Sequence, residues 1–197
     1  VKDSNTLARA ADLGTAMQLT NIYRDVGEDA RAGRLYLPQR EMQQQGIDPS
    51  IFLAAPSFTE PLGSIVQQLL DLADSLYQRA DAGICKLPVK FRPGIHAARL
   101  LYHGIGEEIR ANKYNSVDRR AITATSKKFR LLVRSLFPLT GDRKKLHKPA
   151  LSQNQFLVDA AVNQRMPKRS IDSQFKPRIS WMLDLFESLD DRNRAAR

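Results

Sequence analysis

The strongest constraint on the fold is a helical pattern near the start of the chain that separates polar and apolar residues into sectors. Gln18, Asn21, Asp25 and Asp29 follow each other at steps of three, four and four. At 100° per helical residue they fall within an arc of roughly 80°, and we call these four residues the polar stripe. The other sectors are largely apolar, with Leu13, Met17, Leu19, Ile22, Tyr23 and Val26. Because a helix that is apolar on most sides is usually buried, the pattern predicts that the polar stripe points into the protein interior.

Two carboxylates in an apolar setting need a counter-charge, because a buried carboxylate is costly unless it is paired, neutralised or bound to a metal. Asp25 and Asp29 lie one turn apart, so their oxygens can converge on Mg²⁺ or Mn²⁺, which takes one or two protein carboxylates together with water and phosphate. Gln18 and Asn21 add neutral groups suited to phosphate oxygens or metal-bound water. Two aspartates at this spacing are also common on solvated helix faces, and that explanation stays open. Three nearby arginines could serve a polyanion: Arg24, Arg31 and Arg34.

The residues of this segment resemble a known motif. Residues 18–29 read QLTNIYRDVGED and residues 33–38 read GRLYLP. Together they closely resemble the second aspartate-rich motif of the phytoene/squalene synthase family, and they are most similar to the bacterial phytoene synthases. The similarity continues more loosely over residues 64–136. The resemblance implies an all-α fold, an isoprenoid synthase-type helix bundle around a central apolar cavity, of which this chain would supply a part.

The resemblance also implies a reaction. The family joins two prenyl diphosphates head to head after Mg²⁺-assisted loss of diphosphate, so we expect a prenyltransferase that condenses two geranylgeranyl diphosphates to phytoene in carotenoid biosynthesis. Squalene or dehydrosqualene synthesis from farnesyl diphosphate is one alternative. A non-catalytic relative that acts as an assembly factor is another. A nucleic-acid-binding module is disfavoured, because the chain has no helix-turn-helix, zinc or RNA-binding signature.

The family's functional residues can be carried over position by position. The implied metal ligands are Asp25 and Asp29. The implied catalytic residues are Asp25, Asp29 and Tyr102. The implied substrate-binding residues are Gln18, Asn21 and Arg119. Tyr102 and Arg119 rest on the looser part of the similarity, and a core tyrosine and a solvated arginine remain the alternatives for them.

One departure from the family pattern concerns the other half of the metal site. The family has two aspartate-rich motifs on facing helices, and the first lies well upstream of the second. Nothing in this chain could be that first motif, because Asp71 and Asp74 lie downstream and at the wrong spacing. The chain begins at Val1 and the motif helix follows almost at once, so we expect a fragment that lacks an N-terminal portion and carries half of a metal site.

Hydrophobic periodicity predicts a chain built from helices. The predicted long or well-defined helices cover residues 6–32, 39–45, 62–85, 93–113 and 120–136, and no strand pattern of useful length appears. Residues 1–137 are predicted to be the C-terminal part of a prenyl-synthase helical domain. Residues 138–197 are predicted to be a basic, flexible tail with short helices near 158–165 and 179–189.

The formal net charge of +10 is unevenly placed. Residues 110–148 contain twelve Lys and Arg against Asp118 and Asp142, a balance that suits anionic lipid or a diphosphate, or simply a solvated face. The predicted helix 120–136 is basic and amphipathic, so it is the candidate surface for peripheral membrane contact. Its apolar side comprises Phe129, Leu132, Val133 and Leu136.

Cysteine content and hydropathy bear on the compartment. A single cysteine, Cys85, excludes an intramolecular disulfide framework and fits a reducing compartment. No stretch approaches the ~20 apolar residues of a membrane span. We therefore predict a cytoplasmic location, with or without peripheral contact with the inner membrane, and the sequence leaves the oligomeric state open.

Overall fold

The structure is a computed structural model that describes residues 3–163 of the 197 in the chain. The predicted helix at 179–189 lies outside these residues. Within them every regular element is helical, and no β-strand is present. The helices are α1 (Ser4–Arg24), α2 (Val26–Arg31), α3 (Gln39–Gln44), α4 (Pro49–Ala54), α5 (Glu60–Ile84), α6 (Arg92–Ala111), α7 (Thr125–Ser135), α8 (Arg143–Leu146) and α9 (Gln155–Asn163). None of them is long and apolar enough to span a bilayer.

Local sequence explains where the three longest helices begin. Asp3 caps α1, and its carboxylate accepts hydrogen bonds from the backbone N–H groups of Asn5 and Thr6 at 3.2 and 3.1 Å. Pro61 and Pro93 stand in the first turns of α5 and α6, where a missing N–H leaves no helical bond unmade. The predicted starts of these helices lie within two residues of the observed ones.

The predicted single helix over 6–32 is wrong, because the chain bends at Asp25 and continues as α2. The backbone N–H of Gly27 donates to the carbonyl of Ser116 at 3.0 Å. A Cβ atom at position 27 would collide with the backbone of Val117, so glycine alone allows this close approach. The bend therefore results from a contact with a loop far along the chain, and it brings that loop beside Asp25.

The core forms where α1 packs along α5 and α6 contacts both helices. The face of α1 that is buried there is opposite to the polar stripe. It carries Arg9, Asp12, Ala16, Thr20 and Tyr23. Gln18 is exposed, and Asn21 and Asp25 are half-buried. The prediction that the polar stripe points into the interior is therefore wrong within the described residues: the stripe lies on the side of α1 that faces away from α5.

The region after α6 differs from the prediction in two ways. The predicted helix 120–136 begins only at Thr125, because residues 116–123 form a segment packed against α2, with Val117 and Ala121 buried. Residues 3–162 belong to one compact unit. The described part of the predicted tail thus packs with the helical domain, and α8 contacts both α5 and α1.

Candidate active site

Asp25 lies at the bend between α1 and α2, where its carboxylate is surrounded by guanidinium groups. Arg24 donates from Nε and Nη2 to its two oxygens at 2.8 and 2.7 Å. Arg120 donates from Nε to Oδ1 at 3.1 Å, and the same Nε lies 3.4 Å from Glu28 Oε1. Burial lowers the pKa of Arg24, but the hydrogen bonds and charge of Asp25 outweigh it and the pKa is raised. Arg24 is thus a permanent cation beside this carboxylate.

Asp29 follows one turn later and has a separate partner. Its Oδ1 accepts from Arg34 Nε and Nη2 at 3.1 and 2.9 Å. Its side chain is 18% exposed while that of Arg34 is 54% exposed, so the guanidinium covers the carboxylate from the solvent side. Both stripe carboxylates are therefore balanced by arginine, and both remain reachable from solvent.

The loop that follows α6 is held in an unusual conformation beside this site. Lys113 and Tyr114 have φ angles of 55° and 61°, a region that non-glycine residues seldom adopt and that often marks functional sites. Asn115 Oδ1 then accepts from the backbone N–H groups of Val117 and Asp118 at 3.2 and 3.0 Å. These features turn the chain so that residues 116–120 run along α2, where Arg31 Nη1 also donates to the Val117 carbonyl at 3.1 Å.

The structure brings together some of the predicted site residues and separates others. Asp25, Asn21 and Gln18 share one face of α1 and its C-terminal end, as their spacing predicts, but this face is open and not interior. Arg119 is exposed and makes no hydrogen bond or ion pair with any residue in the described range. The neighbouring Arg120 is the one that contacts Asp25. Sequence reasoning missed Arg120 because two adjacent arginines carry no periodic signal in a loop.

Tyr102 lies on α6 and packs beside α1. It is half-buried and adjoins the apolar cluster around Ala16 and Tyr77, together with Leu13 and Met17 of α1. Tyr77 Oη lies 2.9 Å from Thr20 Oγ1, and burial raises the pKa of the Tyr77 phenol. Tyr102 thus belongs to the apolar packing between α1, α5 and α6.

The types of side chain on this face suit a hard divalent cation. Two carboxylates one turn apart, with amide oxygens on the same face, match the one or two protein carboxylates that Mg²⁺ usually takes. Within residues 3–163 no three His, Cys, Asp or Glu side chains are grouped closely enough to enclose a metal. Asp71 and Asp74 do not add to the site, because both pair with Arg110 at 2.9 and 2.8 Å. The described chain therefore offers one side of a metal site, whose negative charge is balanced by arginine.

Comparison with known proteins identifies the family to which this chain is similar. Residues 1–129 match the sequence family described as squalene/phytoene synthase. The phytoene synthase of Cereibacter sphaeroides is 47% identical over 174 residues, which cover 86% of this chain and 49% of that protein. The phytoene synthase of Rhodobacter capsulatus is 44% identical over 176 residues, covering 86% and 52%. The 15-cis-phytoene synthase of Pantoea ananas is 36% identical over 149 residues, covering 76% and 48%. The chain thus spans about half the length of these curated relatives.

A solved structure supports the fold. The crystal structure of a dehydrosqualene synthase in complex with ligand superimposes with a TM-score of 0.57 and 29% identity, covering 63% of this chain and 44% of that chain. Because the match is to a helical isoprenoid synthase and residues 3–163 contain helices without strands, the predicted all-α, isoprenoid synthase-type fold is confirmed.

Proposed function

The chain belongs to the squalene/phytoene synthase family, and we propose that it carries half of the active site of an enzyme that condenses two geranylgeranyl diphosphates head to head to phytoene. Recognition of the family from the residues around Asp25 is confirmed by the match over residues 1–129. The observation that carries the proposal is the polar stripe, which keeps two reachable carboxylates and two amides on one face of α1 and α2. The names of its relatives, phytoene synthases at 44–47% identity, support the C20 substrate.

The residues of this chain would act on the diphosphate and on the hydrocarbon separately. A divalent cation, Mg²⁺ or Mn²⁺, held by Asp25 and Asp29 would supply the positive charge that stabilises the departing diphosphate. Gln18 and Asn21 would hydrogen-bond diphosphate oxygens or water around them. Arg24 and Arg120, already beside Asp25, would add fixed cationic donors on the same side.

An apolar surface would serve the carbocation that loss of diphosphate leaves. An allylic cation survives only where nucleophilic water is excluded. Leu13, Met17 and Tyr102 are partly buried and pack against one apolar cluster, and we propose that they supply such a surface. We propose Tyr102 as a substrate-contacting residue on this ground. We retain Arg119 as a proposed diphosphate contact, since an exposed arginine next to Arg120 can reach an anion at the same place.

A second candidate function is synthesis of dehydrosqualene or squalene from farnesyl diphosphate. The similarity to a dehydrosqualene synthase structure favours it, whereas the higher identity to phytoene synthases favours the C20 reaction. A non-catalytic assembly role is disfavoured by the two retained carboxylates.

The test is product formation by a longer gene product that contains this chain. Incubation with geranylgeranyl diphosphate and Mg²⁺ should give phytoene, and Asp25→Ala should lower kcat by about a hundredfold or more. Asp159→Asn is the control, since Asp159 is exposed and, within residues 3–163, its side chain hydrogen-bonds only to Gln155. Turnover of farnesyl diphosphate alone would support the second candidate. Absence of turnover with both substrates, in a folded protein, would contradict the proposal.

Contact with a membrane surface belongs to the same proposal, because substrate and product are lipids. The outward face of α7 and the residue pair that follows it are apolar and exposed: Phe129 is 68%, Leu136 68% and Phe137 65% accessible. Arg130 and Arg134 flank this face, and residues 125–137 contain four Lys and Arg without an acidic residue. Such a combination suits an anionic bilayer surface.

Vesicle co-sedimentation tests this contact. Binding to vesicles with anionic lipid should exceed binding to zwitterionic vesicles, and the double change Phe129→Ser with Leu136→Ser should weaken it. Ile51→Ser is the matched control, because Ile51 is 70% exposed but lies on α4. Equal binding by both variants would contradict the proposed surface.

A further inference from the structure

Residues 139–154, which we call the strap, cross the α1–α5 pair and follow residues 1–129, the part that matches the squalene/phytoene synthase family description. The Cys85 thiol at the end of α5 donates to the Leu139 carbonyl at 3.1 Å. Further along, Leu146 is buried. At the far end Asn154 Nδ2 donates to Thr15 Oγ1 of α1 at 2.8 Å. The strap is therefore attached to both helices along its length.

The centre of the attachment is a buried group of three charges. Asp12 and Arg9 of α1 are 0% and 1% exposed. Asp12 Oδ2 lies 2.8 Å from Arg9 Nε and accepts from Arg79 Nε of α5 at 2.9 Å. The Asp12 carboxylate thus joins α1 to α5 through Arg79, and it also pairs with Arg9 of its own helix. Burial raises the pKa of Asp12 despite these cations.

The two arginines also donate hydrogen bonds to backbone carbonyls of the strap. Arg9 Nη1 donates to the carbonyls of Lys145 and Leu146, the latter at 3.1 Å, and Arg9 Nη2 donates to the Pro149 carbonyl at 3.3 Å. Arg79 Nη2 donates to the same Pro149 carbonyl at 2.6 Å. Because guanidinium donors are fixed in a plane, these bonds define where α1, α5 and the strap lie relative to one another.

Packing around the network leaves little freedom for α1 to slide or turn. A Cβ atom at Gly83 of α5 would collide with Cβ of Arg9, so the two helices are in direct contact at this point. A Cβ atom at Gly141 would come within 3.0 Å of Ala82 Cα and Cys85 Sγ. Interiors packed this closely shift between discrete arrangements and do not deform gradually.

We propose that Arg9, Asp12 and Arg79 are positioning residues which, together with the strap, hold α1 in the rotation and axial position that present the polar stripe. The network lies on the first three turns of α1, and the stripe begins within two turns of Asp12 on the opposite face. A rotation of α1 by one residue would move Asn21 and Asp25 by 100° around the helix axis. In this proposal the strap acts on the site through α1.

Hydrogen exchange on the full chain tests the positioning directly. Arg79→Gln removes the bond from α5 to Asp12 and one of the two arginine bonds to the Pro149 carbonyl, so backbone amides of α1 between Leu13 and Arg24 should exchange about tenfold faster or more, while amides of α7 change little. Arg79→Lys restores one charge contact with Asp12 but not the two-pronged geometry, and it should restore part of the protection.

The matched control is Arg99→Gln. Arg99 makes a two-pronged pair with Asp81 at 2.8 and 2.9 Å and is as little exposed as Arg79, but it joins α6 to α5 and makes no hydrogen bond to α1 or the strap. It should leave the exchange of α1 amides unchanged.

If Arg79→Gln fails to fold, Asn154→Ala tests the same proposal, since it breaks only the bond between the strap and Thr15. Faster exchange of the amides near Thr15 is then expected. Exchange in α1 that stays at the wild-type rate in the folded variants, or that rises equally for Arg99→Gln, overturns the proposal.

A kinetic experiment also tests the positioning role, and it rests on the proposed function. In the longer gene product, Arg79→Gln should raise the KM for the prenyl diphosphate more than it lowers kcat per folded enzyme, because a displaced stripe binds the diphosphate less well. A purely stabilising role would reduce the folded fraction and leave KM unchanged, which would overturn the proposal. If the longer protein turns over no prenyl diphosphate at all, the proposed function fails and the exchange experiment still decides the role of the strap.

Discussion

Asp12 and Asp25 form a natural comparison, because both belong to α1 or its end and each carboxylate contacts two arginines. Asp12 is fully buried between Arg9 and Arg79. Asp25 is 20% exposed between Arg24 and Arg120. The first pair of arginines also binds three strap carbonyls. For the second pair, the described residues offer only Glu28 as a further acceptor.

The difference shows how one arrangement of charges serves two purposes. At Asp12 every arginine is held by additional partners, so the charges cannot be exchanged and the arrangement fixes the helices. At Asp25 the arginines are held mainly by the carboxylate itself. A divalent cation can therefore replace the arginines beside the carboxylate, and a diphosphate can replace the carboxylate beside the arginines. The structural charges around Asp12 thus differ from the binding charges around Asp25 in how many partners the arginines have besides the carboxylate.

The largest expected effect is on folding stability. Asp12→Ala leaves Arg9 as an uncompensated buried charge, and we expect it to lower the free energy of unfolding by about 3–5 kcal/mol. Asp25→Ala should lower it by less than about 1 kcal/mol, because the pair it breaks is partly solvated. Denaturant unfolding of both variants measures the difference. Similar losses of unfolding free energy at the two positions would contradict the proposed difference between Asp12 and Asp25.

A smaller loss of stability should follow from adding a side chain where α2 packs against the loop of residues 116–120. Gly27→Ala places a methyl group against the Val117 backbone, and we expect a loss of about 1–3 kcal/mol from overpacking. Gly14→Ala is the control, because its Cβ would meet nothing within 4 Å and alanine is the better helix former by up to about 1 kcal/mol. If Gly27→Ala is as harmless as Gly14→Ala in thermal unfolding, the loop does not hold Asp25 in place.

The two sides of α1 were not equally predictable from sequence. The polar stripe is a local pattern, so periodicity and the family resemblance both identified Gln18, Asn21 and Asp25. The spacing of Arg9 and Asp12 contained a signal too, since they share a face with Ala16 and Thr20, and charged residues on a buried face must be paired. Their partners could not be predicted, because the carbonyls of the strap are distant in sequence and backbone carbonyls have no residue preference.

The bend at Asp25 and the role of Arg120 were unpredictable for the same reason. Periodicity over residues 14–32 continues through Asp25 without interruption, and only the bond from Gly27 to Ser116 ends the helix there. Long helices were predicted well because their boundaries depend on local residues such as Asp3 and Pro93. The metal-binding, catalytic and substrate-binding roles all stay predictions, for Gln18, Asn21, Asp25, Asp29, Tyr102 and Arg119 alike.

A moderate effect is expected on metal binding. Arg120→Gln removes one of the cations that compete for the Asp25 carboxylate, so the affinity of the chain for Mn²⁺ or Mg²⁺ should rise by about two- to fivefold, in proportion to the weak pair it breaks. Arg119→Gln is the matched control, since it removes the same charge from the neighbouring position. Isothermal titration calorimetry on both variants distinguishes a specific counter-ion from a general charge effect, which would raise the affinity equally in both.

The smallest expected effect is a difference in salt dependence. Raising NaCl from about 0.1 M to about 1 M shortens the screening length from roughly 10 Å to 3 Å and acts mainly on exposed charges. The destabilisation caused by Arg120→Gln, expected to be below about 1 kcal/mol, should therefore shrink toward zero in high salt. The destabilisation caused by Arg79→Gln should stay nearly constant, because its partner Asp12 has no contact with solvent. Equal salt dependence in denaturant unfolding would mean that water and ions reach Asp12 as easily as Asp25, and the network beneath the strap would then be as exchangeable as the site on the open face.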